Sequence, residues 1–474
     1  MATTKQIAHN TFVQVAGKAV STLLGFVAFL LMARYLGAEQ FGWYGTTISV
    51  LGFAGILIDF GLIPVTAQML SEPEHDKKQL FKNIFTLRLI SSVLFFGAIA
   101  GLIFLPGIPY PLPIKIAICF STLSFIAVGL NQVFVGYLQQ TLKMYVQAIA
   151  EVIGRVVLIA ALLMVIRHDA GFLPMMAAVV ISSFAYTLVM LRRAKKDGML
   201  GLAFDFPIWK SIMTKAWPIA IAIIFNVVYL KGDVLILSLT RTQTEVGIYT
   251  AAYRVIDILA QLAMMIMGIM LPLIAYAWSR KKTADFHTRV QQSFDIMAVI
   301  GLPITVGTLL TAHKITPLFG EELAVASVPL AILAIAVFGV YIGAVFGHTV
   351  VAIGKQKAAL SIYFSNAIIT LTGYLIFIPS HGITGAAWMT VFSELYAGIL
   401  LYILVYRTTK KHIKMTTFAK TLLSTLIMAI PIVLLDSTSI FIVAPLAALV
   451  FAGAIIATKT ISKETIREIV SKKV

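Results

Sequence analysis

Cysteine is almost absent from this chain of 474 residues, where Cys119 stands alone. A single thiol excludes an intrachain disulfide and any cysteine-based metal cluster. Charge is scarce as well: Asp, Glu, Lys and Arg make up 12% of the residues, against about 25% in an ordinary soluble domain. Acids are scarcest, with 20 Asp and Glu against 37 Lys and Arg. The eight His residues are scattered with no HExxH or related spacing, and no GxxxxGK[ST] run occurs. Those gaps remove a zincin-type metal centre and a P-loop for ATP. Long polar segments are missing too. The longest loop runs from Arg192 to Thr214, which leaves no room for a separate soluble catalytic domain.

What fills the chain is apolar, with 59% hydrophobic residues and a mean hydropathy of +0.95. Windows of about 20 apolar residues match the thickness of a bilayer core. They predict fourteen spans, beginning near residues 12, 42, 84, 114, 147, 171, 215, 246, 291, 326, 358, 383, 417 and 438. The last pair, split by Asp436 and Ser437, reads either as two full spans or as a re-entrant hairpin. The first stretch reads as a retained helix and not a signal peptide, since it carries Lys18 and lacks a small-residue cleavage site. The expected fold is an all-α polytopic membrane protein.

The cations set an orientation. Loops on the side of the N-terminus hold 27 of the 37 Lys and Arg, and the opposite side holds Arg34, Lys115, Arg167, Arg241 and Lys314. This bias places both termini in the cytoplasm. The net charge of +17 is therefore a topology signal and not a mark of nucleic-acid binding, and the basic loops are suited to anionic lipid head groups.

A repeat organises the spans. Glu39-Gln40-Phe41-Gly42-Trp43-Tyr44 opens the second span, and Thr244-Glu245-Val246-Gly247-Ile248-Tyr249 opens the eighth, 205 residues on. At an offset of 214, the Lys143 loop matches the Lys357 loop and Gly171 matches Gly385. The reading is a six-helix lobe over 1–196, a basic linker over 197–214, a second six-helix lobe over 215–410, and two extra helices with a basic tail over 411–474. Equal polarity makes the repeat parallel, about an axis along the membrane normal, as in transporters whose lobes rock around a central site.

Chemistry is expected where charge sits inside the spans, because a central Lys, Arg or Asp costs about 2.5–3.5 kcal/mol to insert. Lys18, Arg88, Arg155, Lys231 and Arg254 lie there, with Asp59, Glu151, Asp233, Asp257, Asp295 and Glu394. On the first span Asn10, Gln14, Lys18, Ser21 and Gly25 share an arc of about 80°. On the eighth, Thr250, Arg254, Asp257, Gln261 and Gly268 share one face. On the fifth, Gln147, Glu151 and Arg155 step by four, and Glu before Arg is the favourable order. The plainer alternatives are that Glu151 with Arg155, and Arg254 with Asp257, are structural pairs, and that Lys18 snorkels to the interface. The methionines at 264, 265, 267 and 270 read as adaptable packing.

Several of these segments carry a family resemblance. Asn10, Gln14 and Gly17, then Ala33-Arg34-Tyr35-Leu36-Gly37, Phe41-Gly42-Trp43-Tyr44 and Asp59-Phe60-Gly61-Leu62 resemble the N-terminal third of the Wzx-type polysaccharide and O-antigen flippases, members of the multidrug/oligosaccharidyl-lipid/polysaccharide (MOP) superfamily. His381-Gly382-Ile383-Thr384-Gly385-Ala386-Ala387 is similar to the segment that opens their twelfth span. The resemblance implies a MATE-like fold of about 14 transmembrane helices in a 6+6+2 layout, in a bacterial inner membrane. It implies a non-enzymatic flippase that moves an undecaprenyl-pyrophosphate-linked oligosaccharide to the outer leaflet by alternating access, beside a polysaccharide polymerase and chain-length machinery. Asn10, Gln14, Lys18, Arg88, Arg155, Arg254 and Gln261 are then the candidate substrate contacts. Asp59, Glu151, Asp233 and Asp257 are candidates for gating or for coupling to H+ or Na+, with no cofactor and no metal site. A lipid II flippase, a MATE-type cation antiporter and a membrane polysaccharide polymerase are the alternatives.

Overall fold

The computed structural model describes residues 4–460 apart from 60–64, 67, 68, 71–75 and 142, and leaves aside the side chains of 4–12, 15, 56, 57, 59 and 218–230. Among the described residues every element is helical. In chain order these are α1 (Thr4–Asp59), α2 (Lys77–Leu102), α3 (Leu112–Gln140), α4 (Tyr145–Arg167), α5 (Phe172–Lys196), α6 (Phe206–Thr240), α7 (Gln243–Ser279) and α8 (Thr283–Ile315). Two short 3-10 turns follow, and then α9 (Ser327–Ala352), α10 (Gln356–Thr409), α11 (Thr416–Leu434) and α12 (Ile440–Ala457). Eleven helical runs among the described residues are long and apolar enough to cross a membrane. The chain is a multi-pass membrane protein.

Two of the helices are double length, at 56 and 54 residues, where about 20 suffice to span a bilayer. Each bends at one glycine: Gly37 has φ 66° and ψ −178°, and Gly382 has φ 57° and ψ −136°. Only glycine enters these regions without strain. The sequence spacing expects a break between spans at both places, and the chain makes it without a loop. Elsewhere helix starts are fixed by side-chain caps. Asp76 accepts from the Lys78 amide at 3.0 Å to open α2, and Asp205 accepts from the Ile208 amide at 3.2 Å to open α6.

The chain divides into two compact units, Met1–Gly247 and Ile248–Val474. In the first, α4 packs on α1 and α5, and α3 packs on α2 and α5. An aromatic cluster of Phe81, Phe85, Phe134 and Tyr137 fills one part of its core, with ring centroids 5.5–5.9 Å apart between helices. In the second, α9 lies between α8 and α10, and α11 packs on α8 and α12. Met428, Ile432, Val443 and Ala447 form a small core under Leu310 there. Large apolar side chains point outward along these helices, with Leu434 77% and Phe441 74% exposed. In water such a surface would aggregate; in lipid it is solvated.

Contacts between helix ends follow the alternation that the cations predict. The Tyr35 hydroxyl donates to Asp169 Oδ1 and accepts from the Gly171 amide, both at 2.9 Å, tying the α1 bend to the α4–α5 turn. Lys314 Nζ donates to the carbonyls of Leu435 at 2.9 Å and Thr438 at 3.2 Å, where α8 meets the α11–α12 turn. On the cation-rich side Lys143 and Arg193 reach Asp197, and Gln291 clasps Lys414. Each of these contacts joins ends assigned to one side. The last pair, α11 and α12, are 19 and 18 residues long, each long and apolar enough to cross a membrane.

Candidate functional site

The clearest polar constellation in the first unit lies where α1, before its bend, runs along α4. Glycine at 17 brings the helices close: a Cβ there would sit 2.5 Å from Ala148 Cβ. Small residues at a crossing are how membrane helices gain packing energy without a hydrophobic drive. That approach sets Lys18 against Glu151, with Nζ 3.4 Å from Oε2. Gln147 Nε2 donates to the other carboxylate oxygen at 3.0 Å. Two turns further along α1, Gly25 lies under the Arg155 guanidinium, where a Cβ would meet Nε at 3.3 Å. Gln147, Glu151 and Arg155 thus form a ladder on α4 that faces Lys18 and the two glycines of α1.

The ladder is half open. The Glu151 side chain is 17% exposed and that of Lys18 47%, so the carboxylate is rooted in protein while the ammonium reaches outward. Gln14 is exposed one turn before Lys18. Lys18, which the sequence leaves between a pore role and snorkelling, is paired with Glu151 while its side chain stays exposed. The Asn10 and Asp59 side chains lie outside the described residues.

Arg88 occupies a different place. It is 2% exposed, and its guanidinium crosslinks three stretches of backbone and side chain. Nε donates to the Gly129 carbonyl at 3.2 Å, Nη1 to the Ile58 carbonyl and Nη2 to Gln132 Oε1 at 2.6 Å. These acceptors lie on α3 and the end of α1, whereas the Lys18 ladder is built on α4 and the start of α1. Asp233 is fully buried in α6, where one carboxylate oxygen accepts from the Val234 amide at 2.8 Å. In the second unit Arg254, Asp257 and Gln261 are half-buried along α7. Arg155, Asp233, Arg254 and Asp257 all interact with further neighbouring groups.

Glu394 is an intramembrane acid to which the sequence assigns no role. It packs on α9 so closely that a Cβ at Gly339 would lie 2.9 Å from Glu394 Cβ. Its signal in sequence is a lone acid inside an otherwise apolar run.

The cation-rich end of the first unit is clamped by Asp197. Burial would raise the pKa of this carboxyl, but hydrogen bonds from Tyr137, Lys143 and Arg193 hold it below the usual carboxylate range. The linker beyond it is pinned to α2. Thr86 Oγ1 accepts from the Ala203 amide at 3.0 Å, and Asn83 Oδ1 accepts from the Asp205 amide at 2.8 Å and from Trp209 Nε1 at 3.0 Å.

Comparison with known proteins agrees with this architecture. Residues 7–278 match the profile of a family described as polysaccharide biosynthesis protein, and residues 218–375 match that of MatE. The chain is 23% identical over 383 residues to the probable low-salt glycan biosynthesis flippase Agl15 of Haloferax volcanii, covering 78% of this chain and 77% of the relative. It is 24% identical over 398 residues to a Shigella flexneri protein named for O-antigen transport, covering 80% and 93%. Its fold is similar to that of the lipid II flippase MurJ, with a TM-score of 0.79 at 16% identity over 97% of this chain and 100% of that one. A multidrug resistance MATE family transporter of the MOP superfamily follows at 0.69 and 14%, over 84% and 98%.

Proposed function

The chain belongs to the polysaccharide biosynthesis protein family, and from that premise we propose that it is a flippase for a lipid-linked oligosaccharide. The observation that carries the reading is the Lys18–Glu151–Arg155 ladder, a half-open polar face on helices whose other faces are apolar. A polyprenyl carrier bears its glycan on a pyrophosphate, and an anion of that kind binds Lys as a point charge and Arg through a planar fork. Lys18 leaves Glu151 for the stronger anion, Arg155 engages a second phosphate oxygen, and Gln14 meets sugar hydroxyls. The polyprenyl tail stays in lipid throughout. Two cations against one acid also disfavour an organic-cation cargo, which supports a glycan lipid over a cation antiporter.

On the same reading, the protein works by alternating access in a bacterial inner membrane with both termini cytoplasmic, and its partners are a polymerase and the chain-length machinery. Glu151, once released by Lys18, is free to take up a proton or Na+, so substrate loading and ion binding are linked through one carboxylate. Asp59, Asp233 and Asp257 are the further acids through which such coupling would run.

The test is a proteoliposome assay that follows a fluorescent undecaprenyl-pyrophosphate oligosaccharide between leaflets. A charge-assisted hydrogen bond is worth about 1.5–3 kcal/mol, so Lys18→Ala or Arg155→Ala should slow flipping about tenfold or more, with normal membrane insertion. Glu151→Gln should flatten the dependence on a pH or Na+ gradient. Unchanged rates in both cation variants would remove the proposal.

A further inference from the structure

A second constellation lies within the second unit, at its cation-rich end, and nothing in the flippase reading uses it. The start of α8, the end of α10 and the loop of residues 410–415 enclose a cavity of about 200 Å³. His287, Lys411, His412 and Lys414 stand around it, and Phe286, Val290, Phe346 and Val405 make up an apolar floor. No Asp or Glu is among its lining residues. The nearest acids on α8 are occupied: Asp285 accepts from Arg289 Nε at 3.2 Å and Asp295 from Gln291 Nε2 at 2.9 Å.

The loop that brings in the cations is held in place. Gln291 binds the backbone of Lys414 in both directions, donating to its carbonyl at 3.0 Å and accepting from its amide at 2.8 Å. The His412 ring stacks on Tyr406 with centroids 4.2 Å apart, and its Nδ1 lies 3.2 Å from the Tyr402 hydroxyl. Lys410 turns the chain out of α10 with φ 55°, a left-handed conformation that L-residues other than glycine adopt only at a cost. Two lysines and two histidines on an anchored loop and helix, with no acid among them, make an anion site, and anchoring the loop lowers the entropy cost of filling it.

The floor and the position name the anion. A site for a free phosphate has no use for four apolar side chains below its cations. Where spans end at a leaflet surface, the common molecule with a phosphodiester above methylenes is a phospholipid, and basic pockets between helices at that depth bind such head groups. A half-open cavity of about 200 Å³ has room for a phosphate head group. We propose that the second unit binds the phosphate of an anionic phospholipid at His287, Lys411, His412 and Lys414, as a site independent of the transported lipid.

The test compares thermal unfolding of the full chain in nanodiscs of phosphatidylcholine with and without phosphatidylglycerol. Phosphatidylglycerol should raise Tm by a few degrees, by preferential binding to the folded state. The Lys411→Gln, Lys414→Gln double variant should lose most of that rise, while Lys355→Gln with Lys357→Gln, on the same side of the membrane, should keep it. Native mass spectrometry of retained phosphatidylglycerol gives the same reading for a variant whose own stability has moved. Equal stabilisation of the double variant, equal loss in the Lys355/Lys357 control, or a full rise from millimolar inorganic phosphate in detergent would each overturn the assignment.

Discussion

Gly42 and Gly247 meet backbone to backbone. A Cβ on Gly42 would lie 1.7 Å from the Gln243 carbonyl oxygen and 3.1 Å from the Gly247 amide, and one on Gly247 would lie 2.0 Å from the Ala38 carbonyl oxygen. Thr46 Oγ1 donates to Gln243 Oε1 at 2.6 Å beside the contact. These are the two glycines of the repeated Gly-x-Tyr, so the similarity seen in the sequence coincides with a packing requirement. The start of α7 and the second half of α1 cross where neither has a side chain.

Gly42→Ala and Gly247→Ala should therefore be severe. Ordinary overpacking costs about 1–3 kcal/mol because side chains give way, but here the obstacle is backbone on both partners. Fluorescence-detected size exclusion should show aggregation or a marked fall in Tm for either variant, and a milder change for Thr46→Ala. A monodisperse Gly42→Ala protein with its Tm intact would mean that the helices do not touch.

The sequence carried the helices further than the site. Apolar windows placed span starts near 42 and 383, because bilayer thickness is a local constraint, but they did not show that the breaks are single bends at Gly37 and Gly382 inside continuous helices. The Gln147, Glu151, Arg155 stripe on α4 was legible for the same reason, as a matter of period. Its partner was not. The sequence suggested Glu151 with Arg155 at i,i+4, and it gave no sign that Glu151 also pairs with Lys18 on α1, 133 residues away. Long-range pairing depends on where Gly17 lets two helices approach, and no window contains that. The α8–α10 cavity was invisible for a related reason: Gln291 and Lys414 look like ordinary surface residues until the loop closes over them.

Arg88 offers a contrast with Lys18. A charge in a span asks for a purpose, which groups it with the substrate contacts, and in the fold it donates to three protein acceptors on α1 and α3. Arg88→Ala should leave the Gly129 and Ile58 carbonyls and Gln132 without their donor in a buried site, at about 1–3 kcal/mol for each group left unsatisfied. Tm and expression should fall together, and Arg88→Lys should restore little because one ammonium cannot span three acceptors in different directions. A stable Arg88→Ala protein that binds substrate poorly would instead return Arg88 to the transport path.

Asp197 makes the last prediction, a pH dependence with a definite sign. The residue caps α5 at its C-terminus, where the helix dipole disfavours a negative charge. Tyr137 at 2.7 Å, Arg193 at 3.0 Å and Lys143 at 3.2 Å nevertheless hold its pKa below the ordinary value. A carboxylate whose pKa is lower folded than unfolded contributes stability in full above its unfolded value of about 3.9. That contribution is lost as the pH falls through the folded value, because the unfolded chain then binds the proton first. Asp197→Asn removes the charge at every pH while keeping an oxygen to accept from Tyr137. The Tm gap between wild type and variant should therefore be constant from about pH 7 to 5 and should narrow only below about pH 4. A gap that widened in acid would mean that the clamp is held by its neighbours' charges and not by the Asp197 carboxylate.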